Sequence, residues 1–184
     1  MGEGVTRPKR NTHKADEFGE CYARTARATL RKVRICVDLM RESSDFLTWV
    51  ANWETCIVRL RMVGHTLSKV DGKRSRFILL ECAKSYDLWK RPRAKFTWYI
   101  WLEAERNLIL KENKCSVLFL EDSASDGYRD QKVLVNGKVY RADDLIYEIY
   151  YWWIAEIEAI ELRSRAAKRG SYVANPTGAV NVRH

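Results

Sequence analysis

Hydrophobic residues recur every three to four positions along most of the chain, the spacing of one face of an α-helix. The first such stretch covers residues 15–42. The second follows Ser43-Ser44-Asp45, whose side chains suit the start of a helix, and is expected to end at the turn dipeptide Asp71-Gly72. The third covers residues 75–90 and stops before Pro92, because the residue preceding a proline is pushed out of the helical region.

A fourth helical stretch, residues 93–113, is apolar almost all round at its start and is therefore expected to lie centrally. Polar residues follow on the same helix. Glu103, Asn107 and Lys111 are spaced by four and share one face, with Arg106 beside them. Polar groups on a buried helix are costly unless they form hydrogen bonds, so these residues are either a satisfied structural network or a site.

The pattern changes to β over residues 114–142. Cys115–Leu120 is a short β-like run, and two alternating segments flank Asn136-Gly137, the dipeptide that best fits a type I′ hairpin turn. A last helix is predicted over residues 143–168, with Gly170 ending it.

These elements predict a mainly α fold: a four- or five-helix bundle with a small β-hairpin inserted before the last helix. We expect a mobile basic arm at residues 1–14, one helical-bundle domain at residues 15–168 and a flexible tail at residues 169–184. The candidate core residues are Phe46, Trp49, Trp53, Leu60, Ile78, Trp89, Phe96, Ile100, Ile149, Trp153 and Ile157.

Composition narrows the class of protein. The chain has 184 residues, 46% of them hydrophobic, which suffices for one domain with a real core. Its longest uncharged apolar stretches have seven residues, whereas a membrane-spanning helix needs about 20. No apolar segment lies near the N-terminus, so a cytoplasmic protein is expected. The five cysteines have no CxxC spacing and no histidine at metal-ligand spacing, and neither a disulfide framework, a metal nor a cofactor is expected.

Charge is the first functional signal. The net charge is +9, and residues 59–95 alone carry 11 Lys and Arg against 3 Asp and Glu. Basic segments attract the phosphate backbone of nucleic acids, but they also occur as surfaces that only keep a protein soluble. The first predicted helix raises the same alternatives, because Arg27, Arg31 and Arg34 lie on one stripe. Guanidinium groups favour phosphate contacts, whereas an amphipathic helix needs a solvated face in any case.

Most catalytic motifs are absent. No glycine-rich phosphate loop and no metal-binding HExxH occur. The histidines are His13, His65 and His184, and two of them fall in the predicted terminal segments. We interpret His65 as incidental, so nucleophilic catalysis with a histidine base is not expected.

Arg106-Asn107 near the end of a core helix, with Lys111 five positions after the arginine, resembles the HEPN (higher eukaryotes and prokaryotes nucleotide-binding) superfamily. The order of elements is also similar: long helices, the Arg-Asn helix, a short β insert and a closing helix. In ribonucleases of that family the motif is Arg, four to six residues, then His. The resemblance covers residues 15–168 and implies a dimer whose two sites face each other.

The chain departs from that motif where Lys111 stands in place of the histidine. A lysine is normally protonated at neutral pH, so it binds phosphate but does not accept the proton that RNA cleavage releases. The resemblance therefore implies a degenerate site, formed by Glu103, Arg106, Asn107 and Lys111, that binds RNA or a nucleotide without cleaving it.

Three alternatives stay open. Arg106 would have only a structural function if it were paired with Glu103 or Glu105. The protein would be an interaction module if its basic surface bound an acidic protein partner. It would be a metal-independent ribonuclease if Arg106 acted without a histidine.

Overall fold

Five long helices and a three-stranded antiparallel sheet make up the computed structural model, which describes residues 19–90, 98–118 and 131–174. The helices are α1 (Arg24–Glu42), α2 (Phe46–Thr66), the single turn α3 (Gly72–Arg74), α4 (Arg76–Lys90), α5 (Trp98–Asn107) and α6 (Ala142–Ala174). The strands are β1 (Val117–Leu118), β2 (Lys132–Val135) and β3 (Lys138–Arg141). The prediction of a mainly α fold with a small β element before the last helix is confirmed.

The N-terminus of α1 is held by two carboxylates from distant parts of the chain. Ala23 offers no side-chain acceptor, and its backbone N–H donates to Glu161 Oε1 at 2.9 Å. The N–H groups of Thr25 and Ala26 donate to the two carboxylate oxygens of Asp71, at 3.0 and 2.9 Å. Both carboxylates are 3% exposed. They satisfy donors that have no partner within the helix and place negative charge at its positive end.

These contacts explain why the first helix begins later than the sequence predicts. Residues Gly19–Cys21 form a 3₁₀ turn, and the N–H of Arg24 donates to the carbonyl of Tyr22 at 3.0 Å. The predicted start at residue 15 lies outside the described residues. The helical spacing continues upstream of Arg24, but tertiary contacts decide where α1 starts.

The second helix ends close to the predicted position near Asp71-Gly72, but the predicted turn at this dipeptide is wrong. The helix begins as expected, with the Asp45 carboxylate accepting from the N–H of Thr48 at 2.8 Å. Its backbone then stays helical through a π-helical turn, Leu67–Asp71, and through α3, and it becomes extended only at Ser75. Gly72 has an ordinary helical φ of −63°. Asp71 is used as the acceptor for α1 and does not form a turn.

The hairpin prediction is confirmed and extended. Asn136 and Gly137 have φ values of 50° and 75°, the positive angles that a type I′ turn requires. Val135 of β2 pairs with Lys138 of β3 directly beside this turn. Strand β1 adds a third strand, through the pairing of Val117 with Val133. Val117, Val133 and Val135 are buried, whereas Val139 of β3 is exposed.

The prediction that Gly170 ends the last helix is also wrong, because α6 continues to Ala174. A glycine inside a helix costs only about 1 kcal/mol relative to alanine, which a long helix tolerates. Two contacts hold the last turns of α6. Lys168 Nζ lies 2.8 Å from Glu20 Oε1 at the other end of the chain, and Ser171 Oγ donates to the carbonyl of Lys168 at 2.7 Å. The predicted arm at residues 1–14 lies outside the described residues.

Most of the candidate core residues are buried, and two are corrected. Phe46 is 37% exposed because it opens α2 at the edge of the bundle. Ile100 is 41% exposed because α5 buries the face that carries Tyr99 and Leu102. Phe96 lies outside the described residues. The candidates that are buried are Trp49, Trp53, Leu60, Ile78, Trp89, Ile149, Trp153 and Ile157.

An aromatic cluster joins α4, α5 and α6. The ring centroid of Trp89 lies 5.2 Å from that of Trp153 and 5.5 Å from that of Tyr99. Gly64 of α2 allows this packing, because a Cβ atom there would come within 3.1 Å of the Tyr99 ring and 3.2 Å of the Trp153 ring. The cluster therefore fixes the position of α5 relative to α2, between which the candidate site lies.

We predict that Asp71→Ala destabilises the fold more than Asp45→Ala, although each aspartate holds a helix N-terminus. Asp71→Ala leaves two backbone N–H groups without an acceptor, one of them buried, and should cost about 2 to 4 kcal/mol. Asp45 is exposed, so water replaces it and the loss is smaller. Urea denaturation of the two variants measures this difference, and equal losses would contradict the structural importance of Asp71.

Candidate functional site

Two hollows lie between α2, α4 and α5 and share Arg61 and His65, and together they are called the α2–α5 cleft. Their volumes are about 350 and 330 Å³. Besides the shared pair, the first is lined by Gly64, Ser68, Lys69, Leu79, Cys82, Ala83, Tyr86, Asp87 and Tyr99. The second is lined by Val58, Met62 and Arg106.

Arg61 lies at the junction of the two hollows. Its Nη2 atom is 2.9 Å from Glu103 Oε1, and its guanidinium carbon lies 4.4 Å from the centroid of the Tyr99 ring. The side chain is 19% exposed, whereas that of Glu103 is 40% exposed. Stacking on Tyr99 and pairing with Glu103 hold the guanidinium in one orientation. Its charge still faces the cleft, partly neutralised by a carboxylate at the surface.

Two tyrosines line the first hollow, and Lys90 lies against one of them. The rings of Tyr86 and Tyr99 meet edge to face with their centroids 5.4 Å apart, and Lys90 Nζ lies 4.7 Å from the centroid of Tyr86. A hydrogen bond with Lys90 lowers the pKa of the Tyr86 hydroxyl. Burial raises the pKa of Tyr99. Tyr99 therefore belongs to the core, and Tyr86 is the half-buried ring at the cleft.

Arg106 is not paired with either neighbouring glutamate. Glu103 pairs with Arg61, and the buried carboxylate of Glu105 accepts from the N–H and the hydroxyl of Ser116. Arg106 Nη1 donates instead to the side-chain oxygen of Asn107 at 3.1 Å. Within the described part of the chain no carboxylate forms an ion pair with Arg106. Its guanidinium charge is therefore held by a neutral amide at the edge of the cleft.

Lys111 does not line the hollow that Arg106 lines. It is exposed, in a π-helical turn, Leu108–Glu112, that follows α5 and ends at Asn113 in the left-handed conformation. It does not line the α2–α5 cleft. The residue that lines the same hollow as Arg106 is His65, supplied by α2 rather than by the helix that carries the Arg-Asn pair.

The arginine stripe of α1 is divided between two functions. Arg27 makes two hydrogen bonds to Glu161, Nε to Oε1 at 3.0 Å and Nη2 to Oε2 at 2.8 Å. The hydrogen bond with Glu161 raises the pKa of Arg27. Arg31 and Arg34 are exposed. Arg27 therefore serves the fold, and only the other two present their charges freely to solvent.

The cleft offers more cationic than anionic groups. Arg61, Lys69 and Arg106 line its two hollows, against the carboxylate of Asp87, with Glu103 bound to Arg61. Two of the cations are arginines, whose planar guanidinium matches the geometry of phosphate and carboxylate groups. The arrangement is suited to holding an anion that competes with Glu103.

Sequence reasoning missed Arg61 and Lys69 and set His65 aside. A signal was present, because the three residues follow one another at intervals of four along α2 and the π-helical turn after it, next to the apolar stripe. The contact of that stripe with Tyr99 and Arg106 was not predictable, since it depends on how α5 packs against α2.

No metal or membrane segment emerges from the described residues. Within residues 19–90, 98–118 and 131–174, no group of three or more His, Cys, Asp or Glu side chains is placed to hold a metal ion. In the same ranges no helix combines the length and the apolar character needed to cross a bilayer. Comparison of the chain with protein-family models, curated proteins and solved structures gives no match.

We predict that Arg27→Met lowers the free energy of unfolding by about 1 to 3 kcal/mol, because Glu161 loses two charge-assisted hydrogen bonds in a largely buried position. Arg31→Met is the matched control, one turn along the same helix and exposed, and should change it by less than about 0.5 kcal/mol. Chemical denaturation measures both. Equal stability of the two variants would show that the Arg27–Glu161 pair contributes nothing to the fold.

Proposed function

We propose that this protein binds RNA or a nucleotide through phosphate groups held in the α2–α5 cleft. The observation that carries the proposal is that Arg61 and Arg106 line hollows with a common wall, while no described carboxylate pairs with Arg106. The resemblance of Arg106-Asn107 and of the order of elements to the HEPN superfamily supports the same function. The homodimer implied by that resemblance stays a prediction.

A phosphate would enter between the two arginines. Among the residues that the structure describes, Arg106 donates only to the neutral amide of Asn107, so it would gain an anionic partner without first breaking an ion pair with any of them. Arg61 would exchange Glu103, which is partly exposed and can turn towards solvent. The hollows, of about 350 and 330 Å³, fall in the range of small-molecule sites, so a nucleotide or one RNA segment fits better than a folded protein surface.

Tyr86 extends the site beyond phosphate contacts. Its half-buried ring lines the first hollow next to Arg61. Bases stack on exposed aromatic rings and on guanidinium planes, and such stacking tolerates any sequence. We therefore expect binding that depends on salt and is largely independent of sequence.

Two single substitutions in the cleft test the proposal, because the proposal predicts that one weakens RNA binding and the other strengthens it. Arg106→Ala should weaken binding of a labelled single-stranded RNA by about tenfold or more, since it removes a charge-assisted contact. Glu103→Gln should strengthen it, since Arg61 loses its competing carboxylate. Fluorescence anisotropy at one fixed ionic strength measures both affinities.

Glu112→Gln is the control for net charge. It removes the same charge as Glu103→Gln, but Glu112 is exposed outside the cleft and pairs with Lys114 at 3.4 Å. If both glutamine variants bind RNA more tightly to the same degree, the effect comes from overall charge and the cleft is not the site. Substitution of Arg31 and Arg34, which are exposed and lie outside the cleft, serves as a second comparison for RNA binding. Arg27 is left unchanged, because its loss affects the fold.

An acidic protein partner would use the same cations, so competition distinguishes the two interpretations. If the site binds nucleotides, unlabelled RNA or nucleotide should displace the labelled RNA far more readily than inorganic sulfate of equal charge does. Equal competition by sulfate would favour the interaction module with a basic surface.

A second candidate function is metal-independent RNA cleavage, and one observation favours it. His65 and Arg106 line the same hollow, and imidazole is the side chain that exchanges protons most readily near neutral pH. In this arrangement His65 would take the 2′-hydroxyl proton, and Arg106 would stabilise the negative charge on the phosphate.

A cleavage assay separates binding from catalysis. Labelled RNA is incubated with the parent chain and with His65→Ala and Arg106→Ala in the presence of a metal chelator. From the binding proposal we expect no cleavage by any of them. Cleavage by the parent that falls by about 100- to 10,000-fold in His65→Ala would make the protein a ribonuclease with a histidine from α2.

A further inference from the structure

Two cysteines face each other where α1 packs against α2. Cys36 of α1 is 9% exposed, and Cys56 of α2 is fully buried. Cys56 Sγ lies 3.9 Å from the carbonyl oxygen of Val33, which is one turn before Cys36, so the two cysteines lie at the same level of the α1–α2 contact. Both are free thiols in the structure. Neither cysteine lines the α2–α5 cleft.

An arginine completes this group. Arg59 follows Cys56 by one helical turn, and its Nε atom is buried without a hydrogen-bond partner among the described residues. A hydrogen bond from Cys56 lowers the pKa of Cys36 to about 6. Partial burial opposes this shift, and the positive charge of Arg59 adds to it. The same contact raises the pKa of Cys56 well above its ordinary value. The opposite directions of the two pKa shifts favour the thiolate form at Cys36 and the thiol form at Cys56.

The other cysteines lack this environment. Burial raises the pKa of Cys21, of Cys115 and of Cys82, the last to about 11. Cys115 is more exposed than Cys36, so exposure alone would make Cys115 the more reactive of the two. Charge and exposure thus give opposite predictions for which thiol an oxidant attacks first.

We propose that Cys36 and Cys56 are a reversible thiol–disulfide pair, in which a hydroperoxide oxidises Cys36 and Cys56 then closes an intramolecular disulfide between α1 and α2. The proposal rests on the position of the two buried cysteines at one level of the α1–α2 contact and on Arg59, a half-buried residue whose Nε atom is buried. It is independent of the proposed RNA or nucleotide binding.

The chemistry balances with hydrogen peroxide as oxidant. The Cys36 thiolate attacks one peroxide oxygen; the S–O bond forms, the O–O bond breaks, and the departing hydroxide takes up a proton to become water. Cys36 is then a sulfenic acid. The Cys56 sulfur gives up its proton and attacks the Cys36 sulfur; the S–S bond forms and the S–O bond breaks, releasing a second water. Two thiols lose two electrons and two protons in total, and a dithiol reductant reverses the change by exchange.

The disulfide would also alter the surroundings of Arg59. Oxidation would convert a Cys36 thiolate into a neutral disulfide sulfur and so remove a negative charge close to the guanidinium, while Glu54 remains in the hollow that Arg59 lines. Arg59 also lines a hollow of about 320 Å³ with Met62 and Ile109, on the side of α2 that faces the π-helical turn after α5. Because α1 and α2 already pack together, the expected change is one of local charge and not of helix arrangement.

Limited oxidation of the full chain tests the proposal. The reduced protein is treated with one equivalent of hydrogen peroxide at neutral pH, and peptide mapping by mass spectrometry locates the products. We expect a Cys36–Cys56 link that dithiothreitol removes, formed about fivefold or more faster than any oxidation of Cys115. Prior oxidation of Cys115, or a Cys36 sulfinic acid without linkage, would overturn the proposal.

Single substitutions test each residue's part. In Cys56→Ser the Cys36 sulfenic acid should persist and be trapped by dimedone. In Cys36→Ser no fast peroxide reaction should remain, and Arg59→Met should slow that reaction several-fold. A trapped sulfenic acid at Cys115 in place of Cys36 would contradict the assignment. Circular dichroism checks that each variant is folded. If a variant does not fold, the peptide map of the oxidised unsubstituted chain decides whether Cys36 and Cys56 form the link.

Discussion

The structure depends on the two carboxylates that bind the N-terminus of α1. Without them the N–H groups of Ala23, Thr25 and Ala26 would lose their acceptors, and Ala23 and Ala26 are buried. Asp71 ends the π-helical turn after α2, and Glu161 lies on α6, so this one helix end joins elements 46 and 138 residues away. Hydrogen bonds to ionised groups are short, strong and directional. They can therefore fix one arrangement of the helices among the many that apolar contacts alone would allow.

The same contacts indirectly position the cleft. Because Asp71 is held by α1, the last turns of α2 are fixed, and with them His65 and Lys69. Tyr99 fixes the other side. Its ring packs in the core against Trp89 and Trp153 and carries the guanidinium of Arg61 on its surface. The cleft is thus lined by charged groups whose positions are set by buried contacts, so a ligand would meet a largely preorganised site.

Local patterns predicted the local structure well. The spacing of hydrophobic residues predicted the helices, and Asn136-Gly137 predicted the hairpin turn, because each depends on residues close together in sequence. The prediction failed where tertiary contacts override local preference. Asp71-Gly72 is typical of a turn, but Asp71 is needed by α1, and Gly170 is compatible with a long helix. The sequence pointed to Arg106 but not to Arg61, because the spacing within each helix does not show how α5 packs against α2.

Net charge is a poor guide to binding, since it counts cations that the fold already uses. Arg27 is bound by Glu161, and Arg163 bridges Glu81 and Ser85 between α6 and α4. Such arginines hold helices together and would have to break an ion pair before contacting phosphate. Arg106 differs, because it is half-buried, held by a neutral amide and placed at a cleft. A cation already in position and not yet neutralised gains most from an incoming phosphate, so the charge that matters for binding is a small part of the +9 that the chain carries.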